Sequence, residues 1–120
     1  MPFHYLLTNL MADIPGARGA IFVDPEGEAI EHVSRDGGLY KLKLEGAYHG
    51  IFLRRAAQLA AVIGAGELER LVLAGSGLQI VTTALKDGYY LVLVLDAGAP
   101  IARVRGPLLR TAAALNNEIV

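Results

Sequence analysis

The stretch Leu68–Asp96, LERLVLAGSGLQIVTTALKDGYYLVLVLD, decides the fold class because it holds three β-rich runs separated by short turns. Gly75-Ser76-Gly77 separates the first two runs, and Lys86-Asp87-Gly88, with its strong Asp-Gly hairpin signal, separates the second from the third. Connections this short join antiparallel neighbours. We therefore predict a three-stranded antiparallel meander with strands over Leu68–Ala74, Leu78–Leu85 and Tyr89–Asp96.

Two further strands precede the meander. Gly19–Asp24 is a β-rich run that is apolar on both faces, and Glu28–Val33 continues as a strand with charged residues mixed in. Between them, Asp24-Pro25-Glu26-Gly27 has the preferred chemistry of a type I turn, with Asp first, Pro second and Gly fourth. The two runs are predicted to form a hairpin.

Charge and hydrophobicity predict the order of the strands in the sheet. Ile21-Phe22-Val23 and Leu91–Leu95 are continuous apolar runs, as expected for central strands buried on both faces. Glu28–Val33 and Leu68–Ala74 carry charged residues, which suit edge strands because charge there limits uncontrolled pairing.

Three helices complete the pattern. The first is predicted over Pro2–Asp13, where an apolar stripe at helical spacing ends at Pro15-Gly16. After a polar loop at Ser34–Leu44, a long helix is predicted over Leu44–Ile63, ending at Gly64-Ala65-Gly66. A last helix is predicted over Pro100–Asn117, kinked or restarted at Pro107. The predicted fold is α/β (an α+β sandwich) in a single domain, residues 1–120, with order α-β-β-α-β-β-β-α, a five-stranded antiparallel sheet and helices on both faces.

The long middle helix has two apolar faces, whereas a helix lying on a sheet normally needs only one. The large side chains suit packing on the helix's own sheet, and the small ones suit close approach of a second helix. A glycine in a helix costs about 0.5–1 kcal/mol relative to alanine, so Gly46 and Gly50 are expected to have a packing role. Spacing of about 100° per residue gives a small-residue face of Gly46, Gly50, Leu53, Ala57, Ala60, Ala61 and Gly64, an opposite face of Tyr48, Phe52, Leu59 and Ile63 with Val62 beside it, and a narrow polar arc of Arg54, Arg55 and Gln58.

Two explanations of the small-residue face are open. It is either covered by the terminal helices of the same chain, or it packs against a second copy in a twofold dimer, the commonest oligomer. The dimer is the favoured hypothesis because small residues repeat at Gly50, Ala57 and Gly64, as suits close approach of a second helix. Of the 120 residues, 53% are hydrophobic, which is rich for a soluble monomer and leaves apolar surface for a core or a partner subunit.

Composition excludes several other classes. The chain has no apolar run of about 18 residues that would span a membrane, and its N-terminus lacks the features of a signal peptide, so a cytoplasmic location is expected. It has no cysteine, which excludes disulfides and thiolate metal sites. Its net charge of −1, with signs interspersed, argues against nucleic acid and anionic membranes as partners.

No catalytic or metal-binding constellation is present in the sequence. His4, His32 and His49 form no metal-binding pair, and Asp24-Pro25-Glu26 lacks the rest of a calcium loop. The segments Gly64-Ala65-Gly66 and Gly75-Ser76-Gly77 complete no nucleotide-binding motif. We therefore predict that the chain is not an enzyme and that it binds no metal or cofactor.

The whole chain resembles a Roadblock (dynein light-chain) domain. The resemblance rests on the element order and on three local stretches. It includes no catalytic signature. The stretches are Ile14–Asp24 (IPGARGAIFVD) with the following Glu26–Ile30 (EGEAI), the alanine-rich Arg54–Ile63, and Ile80–Leu85 with Asp87-Gly88 and Tyr89–Leu95.

The resemblance implies a profilin-like fold, dimerisation and binding to other proteins. In such dimers the middle helices pack together and the strand after them, here Leu68–Ala74, pairs with its copy. MglB-like bacterial members bind a small Ras-like GTPase and promote GTP hydrolysis, and others are adaptors in motor or signalling complexes. On this basis the dimer interface is predicted at Gly50, Leu53, Ala57, Ala60, Ala61, Gly64, Leu68, Arg70 and Val72, and the GTPase contacts at Arg54, Arg55 and Gln58. The alternative hypothesis is a small-molecule sensor of PAS or longin-like type, with an apolar pocket between sheet and helix.

Overall fold

The computed structural model describes residues 2–35 and 39–119, with side chains described over 2–35 and 50–119. The predicted loop residues Asp36, Gly37 and Gly38 lie outside this part. The helices are α1 (Phe3–Asp13), α2 (Leu39–Val62) and α3 (Arg105–Glu118); the strands are β1 (Ala17–Val23), β2 (Ala29–Ser34), β3 (Arg70–Ala74), β4 (Leu78–Ala84) and β5 (Tyr90–Asp96). Short 3₁₀ turns cover Lys86–Gly88 and Ile101–Arg103.

The five strands form one antiparallel sheet in the order β2-β1-β5-β4-β3. The predicted fold class and element order are confirmed. The apolar runs in β1 and β5 are central, and the charge-bearing β2 and β3 are the two edges, as the sequence pattern predicted.

The β1–β2 hairpin turns where the sequence predicted. The Gly27 amide donates to the Asp24 carbonyl at 3.0 Å, and the Asp24 carboxylate accepts from the amides of Glu26 and Glu28, each at 2.9 Å. Gly27 has φ +90°, a conformation that glycine adopts without steric cost. The aspartate therefore fixes the turn through its own side chain.

Alternation along the strands divides the core between the two faces of the sheet. On one face, α1 and α3 cover a cluster that includes Leu7, Phe22, Leu91, Leu93 and Leu115. On the other face, α2 covers a smaller cluster of Ile21, Val23, Leu53, Ile80, Tyr90, Val92 and Val94. The prediction of helices on both faces is confirmed.

Helix α2 begins earlier than predicted. The backbone is helical from Leu39, so the predicted loop of Ser34–Leu44 was too long at its C-terminal end. The polar residues around Asp36-Gly37-Gly38 obscured this start, whereas Leu39 and Leu42 already follow an i, i+3 spacing.

Pro107 does not kink a continuous helix. The predicted Pro100–Asn117 segment is split into the 3₁₀ turn Ile101–Arg103 and helix α3, which starts at Arg105. Pro107 lies in the first turn of α3, where a missing backbone N–H leaves no intrahelical bond unmade. The restart, one of the two predicted outcomes, is the one observed.

Within residues 2–35 and 39–119, none of the helices has both the length and the apolar character needed to cross a bilayer.

Candidate interaction surface

Helix α2 lies on the sheet through its small-residue face. Gly50 and Leu53 are buried against the sheet, whereas Phe52, Leu59 and Ile63 point away from it. The expectation that the large side chains pack on the chain's own sheet was therefore wrong. The sheet contributes the large buried side chains of Ile21, Tyr90 and Val92 to this contact, and α2 approaches the sheet closely where Gly50 lies over Tyr90.

Tyr90 explains why position 50 is glycine. A Cβ built on Gly50 would overlap the Tyr90 hydroxyl oxygen, and it would lie 2.8 Å from Cζ of the same ring. Tyr90 is only 1% exposed, so its ring has little freedom to move aside. Tyr90 thus sets the distance between α2 and the sheet.

The Tyr90 phenol is held in its neutral form. Burial raises its pKa above the ordinary value near 10.0, the charge of Arg54 opposes this shift, and the charge of Asp24 adds to it. The hydroxyl therefore stays a hydrogen-bonding group, and does not become a phenolate, across the physiological pH range.

Beyond Leu53, an open groove of about 470 Å³ lies between α2 and the sheet, and we call it the helix–sheet groove. Its helix wall is formed by Leu53, Arg54, Ala57 and Ala61, and its other wall by Ala84 and Tyr90 of the sheet and by Leu68, just before β3. The lining is mainly apolar, with Arg54 as the charged group on the helix side.

An exposed apolar surface lies beside this groove. On α2, Leu59 is 61% exposed, Ile63 at the helix end 67%, and Val62 84%. On β3, Val72 and Leu73 are also more than half exposed. We call the exposed apolar residues on the α2 side of the sheet the apolar strip: Phe52, Leu59, Val62, Ile63 and Leu73. Val72 points to the other face of the sheet. Several large exposed apolar side chains on one side of the molecule are a candidate interaction site.

Strand β3 is an edge with backbone groups available for pairing. It pairs with β4 along its whole length, and no described strand lies on its other side. Its side chains alternate between the two faces of the sheet. Leu71 packs against the α2-side cluster, whereas Val72 lies opposite Val81 of the α1/α3-side cluster.

The residues predicted for the dimer interface divide between the chain's own core, the helix–sheet groove and the edge of β3, and some of them line more than one of these places. Gly50 and Leu53 contact the sheet of their own chain. Ala57, Ala61 and Leu68 line the helix–sheet groove. Arg70 and Val72 lie on the face of β3 turned away from α2. Ala60 is half-buried beside a second, more open depression along the edge of β3, which Leu68, Arg70 and Val72 also line. Gly64 lies just beyond the helix end.

Gly64 acts as a helix terminator. It has φ +76°, and the Ala65 amide donates to the Ala60 carbonyl at 2.8 Å while the Gly64 amide donates to the Ala61 carbonyl at 3.3 Å. This is the hydrogen-bond pattern of a Schellman motif, in which glycine takes the left-handed position. The described residues offer nothing within 4 Å of a Cβ at Gly64.

Arg54, Arg55 and Gln58 form an exposed polar patch on α2, as the helical spacing predicted. Arg54 also borders the helix–sheet groove, whereas Arg55 and Gln58 do not line it. The patch lies next to the apolar strip, so one partner surface can contact both.

The described part of the chain contains no cluster of three or more His, Asp or Glu side chains able to hold a metal ion. His4 lies 3.7 Å from a carboxylate oxygen of Glu31 at an exposed position between α1 and β2. His32 is half-buried on β2, and the side chain of His49 lies outside the described residues.

The exposure of the apolar strip was not predicted from the sequence. Helical spacing identified Phe52, Leu59 and Ile63 as one face of α2, but that face was assigned to the core. The available signal was Tyr90, a large aromatic residue in the most buried strand, which requires a small residue on the element packed over it.

The chain belongs to the Roadblock/LC7 domain family, whose model matches residues 4–95. No curated protein matches the chain.

Solved structures share the fold at low sequence identity. A Roadblock/LC7 domain from Streptomyces avermitilis is 12% identical, with a TM-score of 0.87 over 97% of this chain and 96% of that one. MglB from Myxococcus xanthus is 17% identical, with a TM-score of 0.87 over 98% and 94%. MglC from Myxococcus xanthus is 22% identical, with a TM-score of 0.73 over 99% and 100%. These similarities show the fold.

Proposed function

We propose that this chain is a homodimeric, non-catalytic regulator that binds a small Ras-like GTPase in the cytoplasm. Membership of the Roadblock/LC7 family supports a regulatory or adaptor role. The similarity in fold to MglB supports the bacterial branch of that family whose members bind a Ras-like GTPase.

The observation that carries the dimer proposal is the apolar strip beside the unpaired edge of β3. An exposed edge with apolar residues such as Leu73 is a template for pairing unless a partner covers it. We propose that β3 pairs with β3 of a second copy, and that Leu59, Val62 and Ile63 of the two α2 helices meet over the joined strands. A twofold axis then buries the same residues on both copies.

The interface we propose thus differs in part from the one predicted from sequence. Ala57, Ala60, Ala61 and Leu68 stay within it as residues along the groove and the start of β3. Arg70 and Val72 contribute their backbone to the proposed strand pairing, while their side chains lie on the face of β3 turned away from α2. Gly50 and Leu53 act through their own sheet, where they fix the position of α2.

Light scattering tests the dimer. We expect twice the chain mass for the wild type, and a shift towards the monomer for Leu59→Lys and for Leu73→Lys, since each places a charge in the interface. Tyr5→Lys on α1 is the matched control, because Tyr5 is an exposed large side chain on the opposite face of the sheet. A monomeric wild type contradicts the proposal.

For GTPase binding, we propose the polar patch of Arg54, Arg55 and Gln58 as the contact. Arginine suits this role because its guanidinium donates to carboxylate or phosphate oxygens in a fixed geometry. Binding of a Ras-like GTPase from the same genome is measured with the GTPase loaded with GDP or with a non-hydrolysable GTP analogue, and GTP hydrolysis is followed separately.

We expect nucleotide-dependent binding that the Arg54→Ala/Arg55→Ala/Gln58→Ala triple variant abolishes while the dimer mass is kept. Unchanged binding by this variant removes the patch from the proposal. Equal binding to the GDP-loaded and the GTP-analogue-loaded GTPase contradicts a regulator that distinguishes these two states.

The helix–sheet groove favours a second candidate function, the sensing of a small apolar ligand. Its volume of about 470 Å³ lies in the range of ligand sites, about 300–1,000 Å³, and it is mainly apolar. A sensor predicts that a medium-chain fatty acid raises the melting temperature, and that Ala61→Phe cancels the effect by filling the groove. A dimer whose melting temperature no such ligand changes favours the regulator.

A further inference from the structure

A second groove lies on the opposite face of the sheet, between β3 and the start of α3. Its floor is made of the buried side chains of Val81, Val104 and Leu108. Arg70 of β3 and Arg105 of α3 also line it. We call this site the arginine groove; Val72 and Ile101 complete its lining.

The volume of the arginine groove indicates what kind of group can bind in it. Its volume is about 240 Å³, below the range of about 300–1,000 Å³ typical of small-molecule sites. Val72 and Ile101 are about half exposed at its margin, so the apolar floor is continuous with exposed apolar surface. The groove suits one large apolar side chain that belongs to a longer segment, as in anchor residues of protein interfaces.

The charge around the groove indicates which residue types that segment should carry. The two ion pairs found among the described residues, His4–Glu31 and Arg18–Asp96, leave Arg70 and Arg105 without a carboxylate partner. Three arginines and no acidic residue lie between Asp96 and Glu118. The chain as a whole has a net charge of −1, and Glu67 and Glu69 lie near Arg70 in the open depression at the edge of β3. The positive potential is therefore centred on the start of α3, where Arg105 lines the groove.

We propose that the arginine groove is a docking site for a protein segment in which one bulky apolar side chain is flanked by carboxylates. The apolar side chain fills the space over Val81 and Leu108, and the flanking carboxylates pair with Arg70 and Arg105. This site lies across the sheet from the Arg54, Arg55 and Gln58 patch, and its use requires neither the dimer nor the GTPase.

A second copy of this chain is a poorer occupant on the same grounds. The apolar strip on α2 is accompanied by Arg54 and Arg55, which would meet Arg70 and Arg105 with like charge. Nucleic acid would satisfy the arginines but leave the apolar floor unfilled.

The test uses fluorescence polarisation with three labelled synthetic peptides of equal length. The first has a central Phe flanked by two Glu on each side, the second replaces the Glu by Lys, and the third replaces the Phe by Ala. We expect the first alone to bind, with affinity that falls as salt is raised, since exposed charge pairs are screened.

The protein variants then locate the binding. Arg105→Glu is expected to weaken binding of the Glu–Phe peptide about tenfold or more, since it replaces an attraction by a repulsion. Ile101→Ser is expected to weaken it about threefold through loss of apolar contact. Arg110→Glu is the matched control, because Arg110 is an exposed arginine of α3 that does not line the groove.

Three results overturn the proposal. The first is the absence of binding by the Glu–Phe peptide, and the second is an equal loss of binding in Arg105→Glu and Arg110→Glu, which indicates net charge alone. The third is a change of solution mass in Arg105→Glu with unchanged peptide affinity, which makes the groove a contact between copies. A monomeric wild type that still binds the peptide contradicts the proposed dimer and leaves the docking site intact.

Discussion

Gly50 of α2 lies directly over the hydroxyl group of Tyr90 in β5, so close that position 50 has no room for a side chain. In an ordinary helix interior, replacing glycine by alanine stabilises the protein by about 0.5–1 kcal/mol. Here we expect Gly50→Ala to lower the free energy of unfolding by about 1–3 kcal/mol, because the added methyl group must displace a buried ring or lift α2. Urea denaturation measures the change.

Tyr90→Leu provides the control for this overlap. In that background the ring is gone, so Gly50→Ala is expected to be neutral or stabilising, and a double-mutant cycle gives the coupling energy. A Gly50→Ala variant that is more stable than the wild type contradicts the close approach.

The buried phenol of Tyr90 predicts a loss of stability at high pH. Because its pKa is raised in the folded chain above the ordinary 10.0, its contribution is fully present below about pH 10 and is lost as pH rises through the folded-state pKa. Tyr90→Phe has no proton to lose, so its free energy of unfolding is expected to fall less steeply above pH 10. Parallel pH-dependent denaturation curves of the two proteins are inconsistent with this burial.

Thr83 and Thr82 predict opposite effects of the same substitution. The Thr83 hydroxyl oxygen Oγ1 is buried without a hydrogen-bond partner among the described residues, whereas the buried Thr82 has an interacting partner. We expect Thr83→Val to raise the free energy of unfolding by up to about 1 kcal/mol, and Thr82→Val to lower it, because only the second loses an interaction. Thermal melts of the two variants measure both changes in stability. Equal effects contradict the assignment of a partner to Thr82 and none to the Thr83 hydroxyl.

Lys86 joins the β4–β5 connection to the end of α3. Its ammonium group donates to the Ile119 carbonyl at 2.9 Å, and its backbone amide donates to the Asn116 side chain at 2.9 Å. Lys86→Met keeps most of the side-chain volume but removes the charged donor at a helix C-terminus, so we expect a loss of about 0.5–1.5 kcal/mol. Lys86→Arg should retain most of the stability, and hydrogen exchange of the last turn of α3 checks that the loss is local.

Gln79 holds in place the segment that leads to the arginine groove. Its buried amide nitrogen donates to the carbonyls of Ala97 at 2.9 Å and Ala99 at 3.1 Å, in the segment that leads into the 3₁₀ turn of Ile101. Gln79→Leu leaves these carbonyls without their donor, and we expect a loss of about 1–3 kcal/mol. Gln79→Glu also lacks the donor amide and should be no better; a Glu variant of wild-type stability contradicts the role.

Much of the fold could be predicted from local chemistry. The unbroken apolar run Leu91–Leu95 indicated a strand covered on both faces, and the charges of β2 and β3 indicated edges, because burial and pairing each leave a direct mark on residue type. The turn at Asp24 was predictable since its hydrogen bonds come from residues next to it in sequence.

The orientation of α2 could not be predicted in the same way. Helical spacing shows which residues share a face, but both faces of α2 are apolar, so hydrophobicity does not decide which one meets the sheet. The deciding contact, between Gly50 and Tyr90, joins residues 40 positions apart in the sequence. For the same reason the two grooves, whose walls come from separate elements, left no continuous motif in the chain.

The alternation of side chains along β3 has a consequence for any assembly built on that edge. Residues opposite each other in an antiparallel pair point to the same side, so two copies joined through β3 about a twofold axis must place both α2 helices on one side and both arginine grooves on the other. Such a particle has two chemically unlike surfaces separated by the full thickness of the sheet. A GTPase bound to one surface and an acidic segment bound to the other would not compete for space, and the dimer could hold both at once as a bridge.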